Sequence, residues 1–244
     1  MIDLSRRVIV ITGAGGGIGE GIARSFATAG ASLVLSTRSN PVGEMAGKQT
    51  LVQVDLNEAR APALIVEAAL ETFGRIDGLV NNAGIQPLAS TLDVSDEDFR
   101  QMLETNVTAV HRLTKAVAQQ MIDQGAGGSI VHIASIEGIQ PAPLHGHYAT
   151  AKAALRMHAR AAAQEFGRHQ IRVNTVSPGL IDRPGLERDW PEGVERWMAS
   201  VPLGRLGTAD DVGDACVFLC SDLARFITGA DLVVDGGVLT RPTW

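Results

Sequence analysis

The stretch Val8-Ile9-Val10-Ile11-Thr12-Gly13-Ala14-Gly15-Gly16-Gly17-Ile18-Gly19 decides the fold. An unbroken β-branched run reads as a strand buried on both faces, the mark of a parallel sheet. Five glycines follow, and a helical pattern starts at Gly17. Glycines let the backbone approach a pyrophosphate, and the helix behind them offers unpaired N–H groups and the positive end of its dipole. A turn that merely needs positive φ is the plainer reading, and so glycine-rich a run argues against it. The spacing is not G-x-G-x-x-G in any register, because the sixth position is Ile18 counted from Gly13 and Glu20 counted from Gly15.

Outward from this loop, short apolar runs alternate with alanine-rich helical segments. The runs are Val8–Thr12, Ser32–Thr37, Leu51–Val54, Gly78–Asn81, Ser129–Ala134, Ile171–Ser177 and Asp231–Val234. Helices are expected over Gly17–Ala29, Ala59–Phe73, Asp96–Met121, Tyr148–Arg168 and Ala209–Leu219. Such alternation predicts βαβ units with right-handed crossovers. The expected fold class is therefore α/β, one doubly wound domain over residues 1–244 with a seven-stranded parallel sheet and helices on both faces. Two segments break the rhythm. Arg38–Lys48 should hold a helix, yet it is short and carries Pro41, Gly43 and Gly47. Residues 180–207 are longer, hold Trp190 and Trp197, and are the expected substrate lid, since ligands bind beyond the carboxyl ends of the strands.

Composition narrows the function. In 244 residues, 45% hydrophobic and 20% charged side chains exclude a disordered chain. Aromatics at 4% leave no stacking platforms for single-stranded nucleic acid, and a net charge of −6 disfavours a polyanion partner. No apolar run approaches the roughly 7–15 residues of an export signal or the ~20 of a membrane span, so a cytoplasmic protein is expected. Cys216 and Cys220 are four apart on an apolar helix and read as core thiols. Metal-ligand spacings, a Gly-Lys-Ser/Thr phosphate loop and a Gly-x-Ser-x-Gly elbow are all missing.

Thr12-Gly13-x-x-x-Gly17-x-Gly19 resembles the cofactor loop of the short-chain dehydrogenases/reductases. Further elements agree in order: Asn81-Asn82-Ala83-Gly84, Asn106, Ser135 with Tyr148-x-x-x-Lys152, Asn174-Thr175-Val176-Ser177-Pro178-Gly179, and Val234-Asp235-Gly236-Gly237. The resemblance spans essentially the whole chain and implies a Rossmann-type oxidoreductase, dimeric or, by preference, homotetrameric. It also implies a nicotinamide cofactor held by Gly13, Gly15, Gly16, Gly17, Ile18 and Gly19, by Asp55 and Leu56, by Asn82, Ala83 and Gly84, by Tyr148 and Lys152, and by Pro178, Gly179 and Ile181. The second strand ends Thr37-Arg38 with no acid for a ribose hydroxyl, and Arg38 offers a forked cation to a 2′-phosphate. NADP(H) is expected to be preferred, with NAD(H) as the alternative. Asp55 has a plainer reading as a helix N-cap.

Tyr148 and Lys152 lie one helical turn apart on one face. A tyrosine of pKa about 10 is a poor base at neutral pH, and a neighbouring ammonium favours phenolate. Tyr148 is thus the expected general acid/base, with Ser135 donating to the substrate oxygen and Asn106 holding a relay water. Tyr148 is also the chain's one tyrosine. Gln86, Glu137, His145, Arg183 and Trp190 are weaker candidates for substrate contact, and His147 stands beside them. The polar ones suit a hydroxylated substrate. Trp190 and Trp197, seven apart, read as one helical stripe. The expected reaction is hydride transfer between nicotinamide and a small secondary alcohol or ketone, with sugars, polyols and cyclic alcohols as candidates. Two alternatives stand beside it: a catalytically silent cofactor-binding regulator, and an epimerase or dehydratase of the same fold.

Overall fold

A computed structural model describes residues 2–241. Met1 and residues 242–244, which the single-domain reading included, lie outside the described residues. Seven strands form one sheet: β1 (Val8–Thr12), β2 (Ser32–Thr37), β3 (Gln49–Gln53), β4 (Gly78–Asn81), β5 (Gly128–Ile133), β6 (Ile171–Pro178) and β7 (Asp231–Val234). Their order is β3-β2-β1-β4-β5-β6-β7 and every pairing is parallel. The topology reverses between β1 and β4, where a doubly wound sheet opens its binding crevice.

Side chains on a strand alternate between faces, so β1 feeds two cores. Ile9 and Ile11 pack with Ile22 and Phe26 of α1 (Gly17–Thr28) and Val212 and Cys216 of α8 (Ala209–Cys220). Val8 and Val10 pack with Ile65 of α2 (Ala61–Phe73), Leu113 and Val117 of α4 (Ala109–Gln124) and Ala159 of α5 (Gly146–Phe166). Residues that are apolar at every position serve both layers at once. Glycine sets how close the outer helices come. A Cβ at Gly21 would strike Ala209, and one at Gly213 would lie 2.5 Å from Ser25 Oγ. Both cysteines are buried and free, as the sequence implied.

Several boundaries differ from the sequence reading. Arg38–Lys48 holds no helix, because its proline and glycines deny it a continuous helical run. β3 is an edge strand with alternating exposure rather than a fully buried run, and it starts at Gln49. The single helix expected over Asp96–Met121 is three pieces: α3 (Asp96–Leu103), a π-helical turn at Glu104–Thr108, and α4. No periodicity argument detects one inserted residue within a helix. α2 is capped by Arg60, not Asp55. Asp55 instead accepts from the Asn57 N–H at 2.9 Å, closing the turn after β3.

The insertion at 180–207 contains α6 (Leu186–Asp189) and α7 (Pro191–Met198). Its ends are stapled together: Gly207 N–H donates to Leu180 O at 3.1 Å and Asp182 N–H to Gly207 O at 2.8 Å. Trp190 sits between the two helices with φ −149°, so it and Trp197 share no helical stripe. Trp190 lies over Gly193, with Arg196 5.8 Å from its ring centroid. Trp197 fills the space a Cβ would need at Gly179. Among the described residues, no helix is long and apolar enough to cross a membrane.

Candidate active site

All the motif residues gather at the carboxyl ends of the strands. The Thr12 hydroxyl accepts from the N–H groups of Asn82 at 2.9 Å and Ala83 at 3.1 Å, tying the turn after β1 to the turn after β4. Asn82 Nδ2 donates back to Thr12 O at 2.9 Å. Gly13 has φ +66° and a Cβ there would stand 2.9 Å from Ala83 Cα, so no other residue fits. A Cβ at Gly15 would stand 2.7 Å from Asn40 O and 2.8 Å from Thr37 Oγ1. The loop Arg38–Asn40 therefore lies against the glycine turn, which brings the exposed Arg38 to its rim. No side chain caps α1 at Gly16, and its first N–H groups lack the side-chain acceptor that usually satisfies a helix start. A turn with no room for a Cβ at Gly13, Gly15 or Gly19, backed by an uncapped helix N-terminus, fits a dinucleotide pyrophosphate.

Ser135 follows β5 and is buried. Tyr148 and Lys152 rise from the first turns of α5, with Lys152 Nζ 5.5 Å from the Tyr148 ring centroid. Lys152 is buried and donates to Ile133 O at 2.7 Å. Gly84 leaves the space between them open: a Cβ there would lie 3.1 Å from Asn106 Oδ1 and 3.8 Å from Lys152 Nζ. Asn106 sits in the π-helical turn, a feature common at functional sites. Its amide is bound to the backbone of one residue, accepting from Ile85 N–H and donating to Ile85 O, both at 2.8 Å, with Met102 Sδ 3.1 Å from the same nitrogen. The amide oxygen keeps a second lone pair that a water can use.

The electrostatics correct one expectation. Burial pushes the Tyr148 phenol up to about 12, the neighbouring Ser135 hydroxyl opposes that rise, and the Glu137 charge adds to it. Burial also brings the Lys152 ammonium down to about 8. Desolvation penalises whichever form is charged, and here it is the leading cause for both groups.

The remaining candidates scatter. His145 Nδ1–H donates to Glu137 Oε2 at 2.6 Å, and Gln86 Nε2 approaches the other carboxylate oxygen at 3.5 Å. Arg183 is paired with Asp189 at 2.9 Å within the insertion. His147 is buried on α5 and its Nδ1 has no partner. Asp55 and Leu56 close the turn after β3, Pro178 ends β6, and Gly179 N–H donates to Val234 O at 2.9 Å. Ile181 bridges to Gly207 beside it. A separate concavity lined by Arg7, Asp77, Arg172 and Phe226 lies at the amino ends of the strands, across the sheet from these residues.

Sequence reading missed a line of imidazoles behind the site. Asn81 Nδ2 contacts His132 Nδ1, His132 Nε2 contacts His158 Nδ1, and His158 Nε2 contacts His111 Nδ1, each at 3.1 Å. An amide nitrogen can only donate, so His132 accepts from Asn81 at Nδ1 and its Nε2 faces His158. Burial, with His158 and Lys152 nearby, lowers His132 to about 3. The unfolded chain therefore binds a proton that the native chain refuses. Stability is full above about pH 6.5 and falls as the pH drops toward 3. Against His132→Asn, the wild type is expected to lose roughly 1–1.5 kcal/mol more per pH unit between pH 6 and 4. Parallel urea-unfolding curves for the two proteins would refute this.

The chain matches the family model described as Enoyl-(Acyl carrier protein) reductase over residues 13–239. A short-chain type dehydrogenase/reductase from Mycobacterium marinum superposes with a TM-score of 0.89 at 34% identity, covering 98% of both chains. The chain belongs to the short-chain dehydrogenase/reductase family. The 2,5-dichloro-2,5-cyclohexadiene-1,4-diol dehydrogenase of Sphingobium indicum is 37% identical over 246 residues, 97% of this chain and 98% of that one. L-rhamnose 1-dehydrogenase (NAD(P)(+)) of Azotobacter vinelandii is 36% identical over 249 residues, covering 96% and 97%. As a short-chain dehydrogenase/reductase, this protein is an NAD(P)-dependent oxidoreductase.

Proposed function

We propose that the protein interconverts a small secondary alcohol and its ketone with NADP(H) as preferred cofactor. The observation that carries this reading is that Tyr148 lies against both the Ser135 hydroxyl and Lys152 Nζ, with Lys152 anchored on Ile133 O, at the same carboxyl end of the sheet as the glycine turn. When bound, the nicotinamide supplies or accepts the hydride. Gly13 to Gly19 would take the pyrophosphate, Asp55, Leu56 and Asn82 to Gly84 the adenosine half, and Pro178, Gly179 and Ile181 the nicotinamide end. Lys152, buried and anchored on Ile133 O, would hold the adjoining ribose together with Tyr148.

Ser135 would donate to the substrate oxygen and hold it against Tyr148, which gives or takes the proton. Asn106, whose amide oxygen keeps one lone pair beside its bond to Ile85 N–H, would hold the relay water. The intact Ser135–Tyr148–Lys152 set argues against a silent regulator. The insertion at 180–207 is read as the substrate lid. Substrates in the range of sugars, polyols and cyclic alcohols agree with the named relatives, a cyclic diol dehydrogenase and a rhamnose dehydrogenase.

Absorbance of the reduced nicotinamide, followed against a panel of such alcohols with NADP+ and NAD+, tests the reaction. The cofactor preference rests on Thr37 and Arg38 at the end of β2. Losing a charge-assisted contact to a 2′-phosphate costs about 1.5–3 kcal/mol. Arg38→Leu is therefore expected to raise KM for NADPH by about 10–100-fold and to leave KM for NADH within about twofold. An equal change for both cofactors would overturn the assignment. We also read the protein as a homotetramer, or a dimer, built through the exposed faces of α4 and α5, where Met157 stands free. A solution mass near the 25.7 kDa of one chain would contradict that.

A further inference from the structure

One acceptor beside the reacting groups has almost nothing to accept. Glu137 lies in a single 3-10 turn, Ile136–Gly138, whose N–H donates to Ser135 Oγ at 3.1 Å. The turn is clamped onto α5. A Cβ at Gly138 would lie 2.9 Å from Ala153 N, and Arg156 holds Gly138 O at 3.0 Å while pairing with Asp231 at 2.9 Å. Glu137 thus has a fixed place relative to Ser135, Tyr148 and Lys152.

Its partner is equally fixed. Leu144, in the left-handed region at φ +67°, turns the chain into α5, and its carbonyl accepts from Ala89 N–H at 3.0 Å. Such strain in a non-glycine residue persists where the surroundings impose it. His145 follows, its ring centroid 6.1 Å from that of Tyr148 and its Nδ1 2.6 Å from Glu137 Oε2. Both side chains are only 17% exposed. The other carboxylate oxygen has Gln86 Nε2 alone, at 3.5 Å, the outer limit of a hydrogen bond. The charge of this carboxylate also reaches the phenol, whose pKa it raises.

We propose that Glu137, oriented by His145, reads a second hydroxyl on the substrate, so that the enzyme selects diols and polyols over simple alcohols. The free oxygen can only accept, so it rewards an O–H donor. An apolar substituent in its place would leave that largely buried oxygen without a good donor. The imidazole already supplies one donor to the carboxylate, which leaves a neutral hydroxyl, rather than a strong cation, as the fitting complement. This specificity role rests on the alcohol–ketone reading given above.

The test compares kcat/KM for cyclohexanol, the cyclohexane-1,2-, -1,3- and -1,4-diols and 2-aminocyclohexanol, each in the oxidative direction and as the matching ketone in reduction. In the wild type, at least one diol is expected to exceed cyclohexanol by about tenfold or more. Glu137→Ala should bring that ratio close to unity, and Glu137→Gln, which keeps an acceptor oxygen, should retain several-fold. Circular dichroism and cofactor binding check that each variant is folded. A diol ratio unchanged within twofold in Glu137→Ala, or a wild-type preference for the amino alcohol, overturns this specificity role while leaving the reaction standing. Absence of turnover for every compound in both directions sinks the role and the reaction together.

Discussion

Tyr148→Phe is expected to remove at least about 10²–10⁴-fold of kcat, the range that a positioned acid or base contributes, while NADPH binds within about twofold of the wild type. The hydroxyl is the only part of that side chain lost, and the ring stays to pack beside Lys152 and His145. Because burial raises the phenol to about 12, it carries its proton throughout the ordinary pH range. Ketone reduction, which needs that proton, should be nearly flat from pH 6 to 9. Alcohol oxidation, which needs the phenolate, should climb with pH over the same interval. Single-turnover absorbance and fluorescence titration of NADPH together decide the matter. A variant retaining wild-type kcat, or one that has lost cofactor affinity along with turnover, would show that the proton passes elsewhere.

Gly19→Ala should be nearly as damaging, through binding rather than chemistry. A Cβ at this position collides with the Gly13 carbonyl and stands 2.7 Å from Asn82 Nδ2. Backbone cannot swing aside as a long side chain can, so the glycine turn must move away from the turn after β4. Overpacking of this kind costs about 1–3 kcal/mol, equivalent to a fall of roughly 3–10 °C in Tm for a domain of this size. The displaced turn should raise the Kd for NADPH by about 100-fold or more, with kcat at saturating cofactor much less affected. Calorimetric titration and thermal melts measure both quantities. Wild-type affinity in this variant would mean that the cofactor does not rest on the glycine turn.

The architecture was legible because its signals are redundant. Val8–Ile11 must be apolar at every position to feed two cores, and Gly13, Gly15 and Gly19 must lack a Cβ for the neighbouring turns to close on this one. What escaped was whatever depends on a single inserted residue or on contacts distant in the chain. The π-helical turn holding Asn106 looks like ordinary helix in sequence. Nothing near His132 announces that His158 and His111 will line up behind it, since α4 and α5 meet only in the fold. The proposed set of Ser135, Tyr148 and Lys152 comes from the motif resemblance, the spacing of Tyr148 and Lys152 alone being too common to carry it. Its acidity was not legible, because desolvation is a property of the packed surroundings and not of neighbouring residue types. Arg183 likewise looked available until its partner Asp189 was placed beside it.

The excursion between Leu180 and Gly207 leaves and re-enters the body of the protein through one narrow neck, closed by two main-chain bonds. Beyond that neck it touches the body at few points, chiefly Trp197 against Gly179 and Leu203 N–H on Gly236 O. A lineage that kept those anchors could exchange the outer part of the excursion for another of different length and leave the strand ends as they are.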